Sequence, residues 1–100
     1  MRVISNDGYS IKRVTLLNSK GGSGKSILAT NIASIFSANN LRTTLIDYDP
    51  QGTAIRWLKQ RPELFPAIHG IDATQQSSAT TRSWQMRVPA GTDRLVIDTP

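Results

Sequence analysis

Between Lys20 and Ser26 the chain reads Lys-Gly-Gly-Ser-Gly-Lys-Ser, and these residue types at this spacing can hold phosphate. Glycines at 21, 22 and 24 let the backbone turn through positive φ and approach a ligand closely, so successive N–H groups can point at phosphate oxygens. Lys25 then supplies a point charge for terminal phosphates, and Ser26 offers a hydroxyl to Mg2+ at the mouth of a following helix. A glycine-rich turn with incidental lysines would leave both lysines and the hydroxyl without a reason.

Two carboxylate groups follow at positions that suit the same chemistry. Thr43 to Asp47 reads as a strand and runs into Asp47-Tyr48-Asp49-Pro50-Gln51-Gly52. Carboxylates at i and i+2 on an extended segment share a side, so Asp47 and Asp49 can both face the phosphate loop, and Pro50 and Gly52 end the strand. Arg94 to Asp98 is an apolar strand ending in a third carboxylate, followed by Thr99 and Pro100. Taken alone, Asp-x-Asp is more often a solvated turn, and an apolar run closed by aspartate is common. In this order behind a phosphate loop they form a set. Phosphoryl transfer needs mainly positioning and charge neutralisation, which a lysine, bound Mg2+ and a fixed water supply.

The elements that must position these groups can be read around them. Arg13 to Asn18 is β-rich and apolar, as a buried parallel strand feeding the loop should be. From Ser26 onward Leu28, Ile32, Ile35 and Phe36 recur at helical spacing, with Ala29 and Ala33 between them, until Asn39 and Asn40 stop the pattern. Thr53 to Gln60 predicts a short helix with Ala54, Trp57 and Leu58 on its apolar side, ended before Pro62. Ile68 to Ile71 reads as a short strand, and Gln75 to Thr81 as a loop or helix start. His69 and Trp84 have no partner motifs and fit packing or surface roles. Met1 to Ser10 reads as a loose extension with a turn at Asn6-Asp7-Gly8.

The usual phosphate-loop pattern would place glycine at 19, where this chain has Ser19, and it adds a second lysine, Lys20, five residues before Lys25. That combination resembles the deviant Walker A motif of the ParA/MinD superfamily of ATPases. The Asp-x-Asp-Pro-Gln-Gly run and the strand ending at Asp98, a Walker B match, resemble further segments of the same superfamily, closest to its ParA-type plasmid and chromosome partition ATPases. The resemblance covers roughly residues 13–60 and 94–100. One departure is Ile27, where family members usually carry a second hydroxyl for the α-phosphate.

The resemblance implies an α/β fold, a P-loop NTPase-type parallel sheet flanked by helices, with room here for about four strands. It implies ATP and Mg2+ as cofactors, with nucleotide held by Lys20, Gly21, Gly22, Ser23, Gly24, Lys25, Ser26 and Ile27. Ser26, Asp47 and Asp98 would serve the metal, Asp47 also supporting Ser26, and Asp49 would position the attacking water. Lys20 would reach across an ATP-dependent homodimer to the partner's phosphates. Non-specific DNA and a ParB-like adaptor are the implied partners, and a cytoplasmic, nucleoid-associated protein the implied setting. A MinD-like ATPase positioned at a membrane, and a non-catalytic remnant, are the alternatives. Residues 1–12 would be an N-terminal extension and 13–100 the N-terminal part of the ATPase domain.

Composition sets looser bounds. With 100 residues and 38% hydrophobic content the chain can form one small domain. It has no cysteine, which excludes disulfides and cysteine-ligated metal and argues against iron–sulfur carriers that share such a loop. No apolar run approaches the roughly 18 residues of a membrane span, and Met1 onward lacks a signal-peptide core. The net charge of +5 raises nucleic-acid binding. Lys20 and Lys25 belong to the nucleotide site, however, and Arg56, Lys59 and Arg61 read as a solvated helix face in preference to a DNA patch. An ATPase of this type needs further strands and an adenine pocket, so the expectation is a fragment whose strand at Arg94 to Asp98 lies near an unfinished sheet edge.

Overall fold

Short runs rich in β-branched and apolar residues assemble into one five-stranded sheet. The computed structural model describes residues 2–5, 13–17, 24–75 and 87–99. In chain order the elements are β1 (Arg2–Ser5), β2 (Arg13–Leu17), α1 (Lys25–Ala38), β3 (Thr43–Asp47), α2 (Thr53–Lys59), β4 (Ile68–Asp72) and β5 (Arg94–Asp98). The strand order is β1-β2-β5-β3-β4. β2, β5, β3 and β4 run parallel, and β1 pairs antiparallel with β2. This is the α/β parallel-sheet architecture of P-loop NTPases, with both helices on one face.

Two expectations are corrected by the pairing. Arg2–Ser5 are not loose: they pair with Arg13–Leu16, Arg2 opposite Leu16 and Ser5 opposite Arg13. The turn expected at Asn6-Asp7-Gly8 lies outside the described residues. β5 is no edge strand either. It sits between β2 and β3, with Val96 paired to Thr15 on one side and Leu45 on the other, and Leu95 to Asp98 are buried. The last strand in sequence enters the middle of the sheet because a crossover connection lets a later strand slot between earlier ones.

The sheet carries a core on each face. Leu45 and Val96 pack with Ala29 and Ala33 of α1 and Ala54 of α2, with Ile32, Phe36, Leu58 and Ile68 at the margin. Ile46, Tyr48, Ile71, Ala73, Leu95 and Ile97 form the other cluster, with Val88 against it. The seam of α1 is therefore made of small residues. Leu28 and Ile35, read from sequence as part of its apolar face, are exposed by 42% and 60%. Alanine lets the helix lie close to the sheet, and the buried hydroxyls of Thr30 and Ser37 are satisfied within the helix by the carbonyls of Ile27 and Ser34. Asn40 ends the helix in the left-handed region at φ 62°, a conformation that asparagine tolerates.

Arg61 corrects the expected solvated basic face. It lies over the rings of Trp57 and Phe65 at 5.4 and 5.2 Å, and donates to Ser34 Oγ, Ser37 Oγ and the Pro66 carbonyl oxygen. Its guanidinium ties the loop after α2 to α1. His69 is exposed, in line with a surface role. Gln76 to Thr81 and Trp84 lie outside the described residues. No helix among the described residues is long and apolar enough to cross a membrane.

Candidate nucleotide site

Parallel strands deliver their carboxyl ends to one side of the sheet, the side on which open α/β sheets bind ligands. Leu17, Asp98, Asp47 and Asp72 share one register across β2, β5, β3 and β4. β2 therefore ends beside Asp98, and α1 begins at Lys25 after Gly24. Lys20 to Ser23 lie outside the described residues.

Ser26, one residue into α1, is buried, and its Oγ donates to Asp98 Oδ2 at 2.9 Å. This bond joins two motifs 72 positions apart. The sequence reading gave the support of Ser26 to Asp47; the structure gives it to Asp98. Ile27 faces outward, exposed by 60%. Gly24 is the N-cap of α1, at φ −86° and ψ −10°, with no side-chain cap and no acidic residue in the first turn. Among the described residues a Cβ placed on it would meet nothing within 4 Å.

Asp47 has no exposed surface, and both its carboxylate oxygens accept backbone N–H groups: Oδ1 from Asp49 and Oδ2 from Ile55, each at 3.0 Å. Its own carbonyl oxygen accepts from Ala73 N at 2.9 Å. One residue thus ties the Asp49 turn, the first turn of α2 and the exit of β4. Burial pushes its pKa up to about 6, opposed by the Ile55 and Asp49 amides and aided by the nearby Asp98 and Asp49 carboxylates. Asp49 is half-buried; its Oδ1 accepts from Gln51 N at 3.0 Å, and its carbonyl oxygen accepts from Gly52 N at 2.9 Å. Asp72 has a different environment. It is exposed and held below the usual carboxylate range, first by the Thr74 hydroxyl and then by the Thr74 amide.

Among the described residues no three His, Cys, Asp or Glu side chains gather as a metal cage. A hydroxyl and a carboxylate already in contact are nonetheless a hard-oxygen pair suited to Mg2+, which keeps several waters and takes only one or two protein ligands when phosphates supply others. The amide partners of Asp47 were missed from sequence. The available signal was Gly52: a helix that starts on a residue without a side-chain cap needs its N–H groups satisfied from elsewhere.

Residues 14–94 match the family model of the CobQ/CobB/MinD/ParA nucleotide binding domain. The chain is 36% identical over 87 residues to the maintenance of carboxysome distribution protein A of Gloeobacter kilaueensis, covering 87% of this chain and 38% of that protein. It is 42% identical over 53 residues to the chromosome-partitioning ATPase Soj of Thermus thermophilus, covering 53% of this chain and 21% of that protein. The chain thus spans well under half the length of these relatives. With the parallel sheet and the junction of α1 with β5 described above, it belongs to the CobQ/CobB/MinD/ParA family of nucleotide-binding domains.

Proposed function

We propose that this chain supplies the phosphate and Mg2+ portion of an ATP-hydrolysing site of ParA type, serving the partition of DNA or the positioning of another large cargo. The observation that carries the reading is the buried Ser26–Asp98 hydrogen bond, which puts a helix-mouth hydroxyl against a strand-end carboxylate beside the exit of β2. The names of the two relatives support cargo distribution and chromosome partition respectively.

Lys20 to Ile27 would bind the nucleotide, the backbone and Lys25 taking the phosphates. Ser26 and Asp98 would hold Mg2+, which when bound offsets charge on the phosphate oxygens. Asp49 would orient the attacking water, and Lys20 would reach the nucleotide of a partner subunit in an ATP-dependent homodimer. DNA and an adaptor of ParB type follow from the same reading, as does work in the cytoplasm at the nucleoid.

Calorimetric titration with ATP, with and without Mg2+, tests this. In the unchanged chain Mg2+ should tighten binding at least tenfold. Asp98→Asn, which can still accept from Ser26 but has lost its charge, should bind ATP with little benefit from Mg2+. An affinity indifferent to Mg2+, or an Asp98→Asn variant with full Mg2+ dependence, would sink the assignment.

A further inference from the structure

Arg56 lies on the exposed side of α2 and belongs to none of the phosphate-site motifs. Its contacts nevertheless converge on one feature. One guanidinium nitrogen, Nη1, donates to the Gln51 carbonyl oxygen, and Nη2 reaches Thr53 Oγ1 at 3.5 Å. Its backbone amide donates to Gly52 O at 3.0 Å. The turn so held is the one that carries Asp49, closed by the Gly52 N to Asp49 O bond and by glycine's left-handed φ of 66°.

The turn is held from two sides. Beneath it the buried Asp47 carboxylate accepts from Asp49 N. From the solvent side a long, exposed side chain lies over it: a Cβ on Gly52 would stand 3.4 Å from Arg56 Nη1, so the guanidinium lies directly against the turn. A planar guanidinium can hold several acceptors in a fixed fork, whereas an ammonium offers a compact charge and can replace only part of that. Three residues, Gln51, Gly52 and Thr53, are tied to this one side chain and its own amide.

We propose that Arg56 is a positioning residue that straps the Asp49–Gly52 turn to α2 and so fixes where the Asp49 carboxylate points. The value of this to catalysis rests on the reading of Asp49 as the water-orienting group. The strap itself does not.

The test uses the full chain, as Arg56→Met, which keeps an apolar stem without donors, and Arg56→Lys. Amide hydrogen exchange should show the Gly52 N–H exchanging about tenfold or more faster in Arg56→Met, while the Leu45 and Val96 amides in the sheet keep their rates. The Asp49 side-chain carboxyl 13C signal should shift in Arg56→Met and return partway in Arg56→Lys. A Gly52 amide at its original rate, an unmoved Asp49 signal, or a uniform rise in exchange that includes Leu45 and Val96 overturns the proposal. Titration of the unchanged chain with Mg·ATP runs separately: absence of binding there defeats the proposed function, and the exchange and carboxyl data still decide the strap.

Discussion

The two helices begin at the same end of the sheet with the same formal signature, a glycine N-cap and no acidic residue in the first turn, yet among the described residues only the start of α2 is seen closed by a buried carboxylate. The first turn of α2 is closed from within, because the buried Asp47 carboxylate takes the Ile55 amide. The first turn of α1 starts on Gly24, which makes no side-chain cap, and among the described residues no carboxylate is seen to accept from its amides. A helix start leaves amide donors and a partial positive charge to be satisfied. Where a buried carboxylate reaches the helix start, as at α2, the start becomes structural; under the proposed function the start of α1 would take the phosphates instead.

The largest expected effect comes from opening the closed terminus. Asp47→Ala removes the acceptor of two backbone amides in a buried position, and should lower stability by about 2–4 kcal/mol in urea unfolding, since stranded buried donors cost far more than an average hydrogen bond. A loss under about 0.5 kcal/mol would mean that water satisfies those amides, and the contrast between the helices would collapse.

Next in size is the loss of the anion's partner at α1. Lys25→Ala should weaken Mg·ATP binding by about 1.5–3 kcal/mol or more, a charge-assisted contact, with little change in melting temperature. Unchanged affinity by calorimetry would place the phosphates elsewhere.

Converting one terminus into the other is a sharper comparison. Gly24→Asp puts a carboxylate at the mouth of α1, where a Cβ has free space and φ is negative. Stability should rise by about 0.5–1 kcal/mol from the favourable charge at the helix start, while ATP binding falls at least tenfold. Tighter ATP binding in this variant would show that the α1 terminus is not where the anion sits.

The smallest effect is on pH. The Asp47 carboxyl titrates at about 6 in the fold against 3.8 for the free group, so between those values the folded state holds the proton that the unfolded state has released. Stability from this group therefore falls as pH rises from 4 through 6. Asp72, with its lowered pKa, acts only below that window. Moving the unliganded chain from pH 7.5 to 5.5 should raise its melting temperature by a few degrees, and Asp47→Asn should flatten the rise. A melting temperature that drops steadily over that interval would contradict the assigned burial.

Thr43 to Asp47 and Arg94 to Asp98 could be read directly, because a buried strand and its terminal carboxylate are local patterns of residue type and period. The limits of β3 and β5 coincide with those runs. The seam of α1 could not be read that way. Hydropathy pointed to Leu28 and Ile35, while close approach to the sheet selected Ala29 and Ala33, a choice made by the distance between elements.

The amino-acid sequence by itself determined the family, the parallel α/β class and the order in which the Lys20 to Ser26 motif and the two strand-end carboxylates occur. Only the tertiary structure decided that β5 enters between β2 and β3, that β1 pairs along β2, that Ser26 meets Asp98 and that Asp47 turns its oxygens to Asp49 and Ile55. Each of these depends on which segments become neighbours after folding. Three carboxylates at similar strand ends are chemically alike in sequence, and only burial and the nearest donor separate Asp47 and Asp98 from the exposed Asp72.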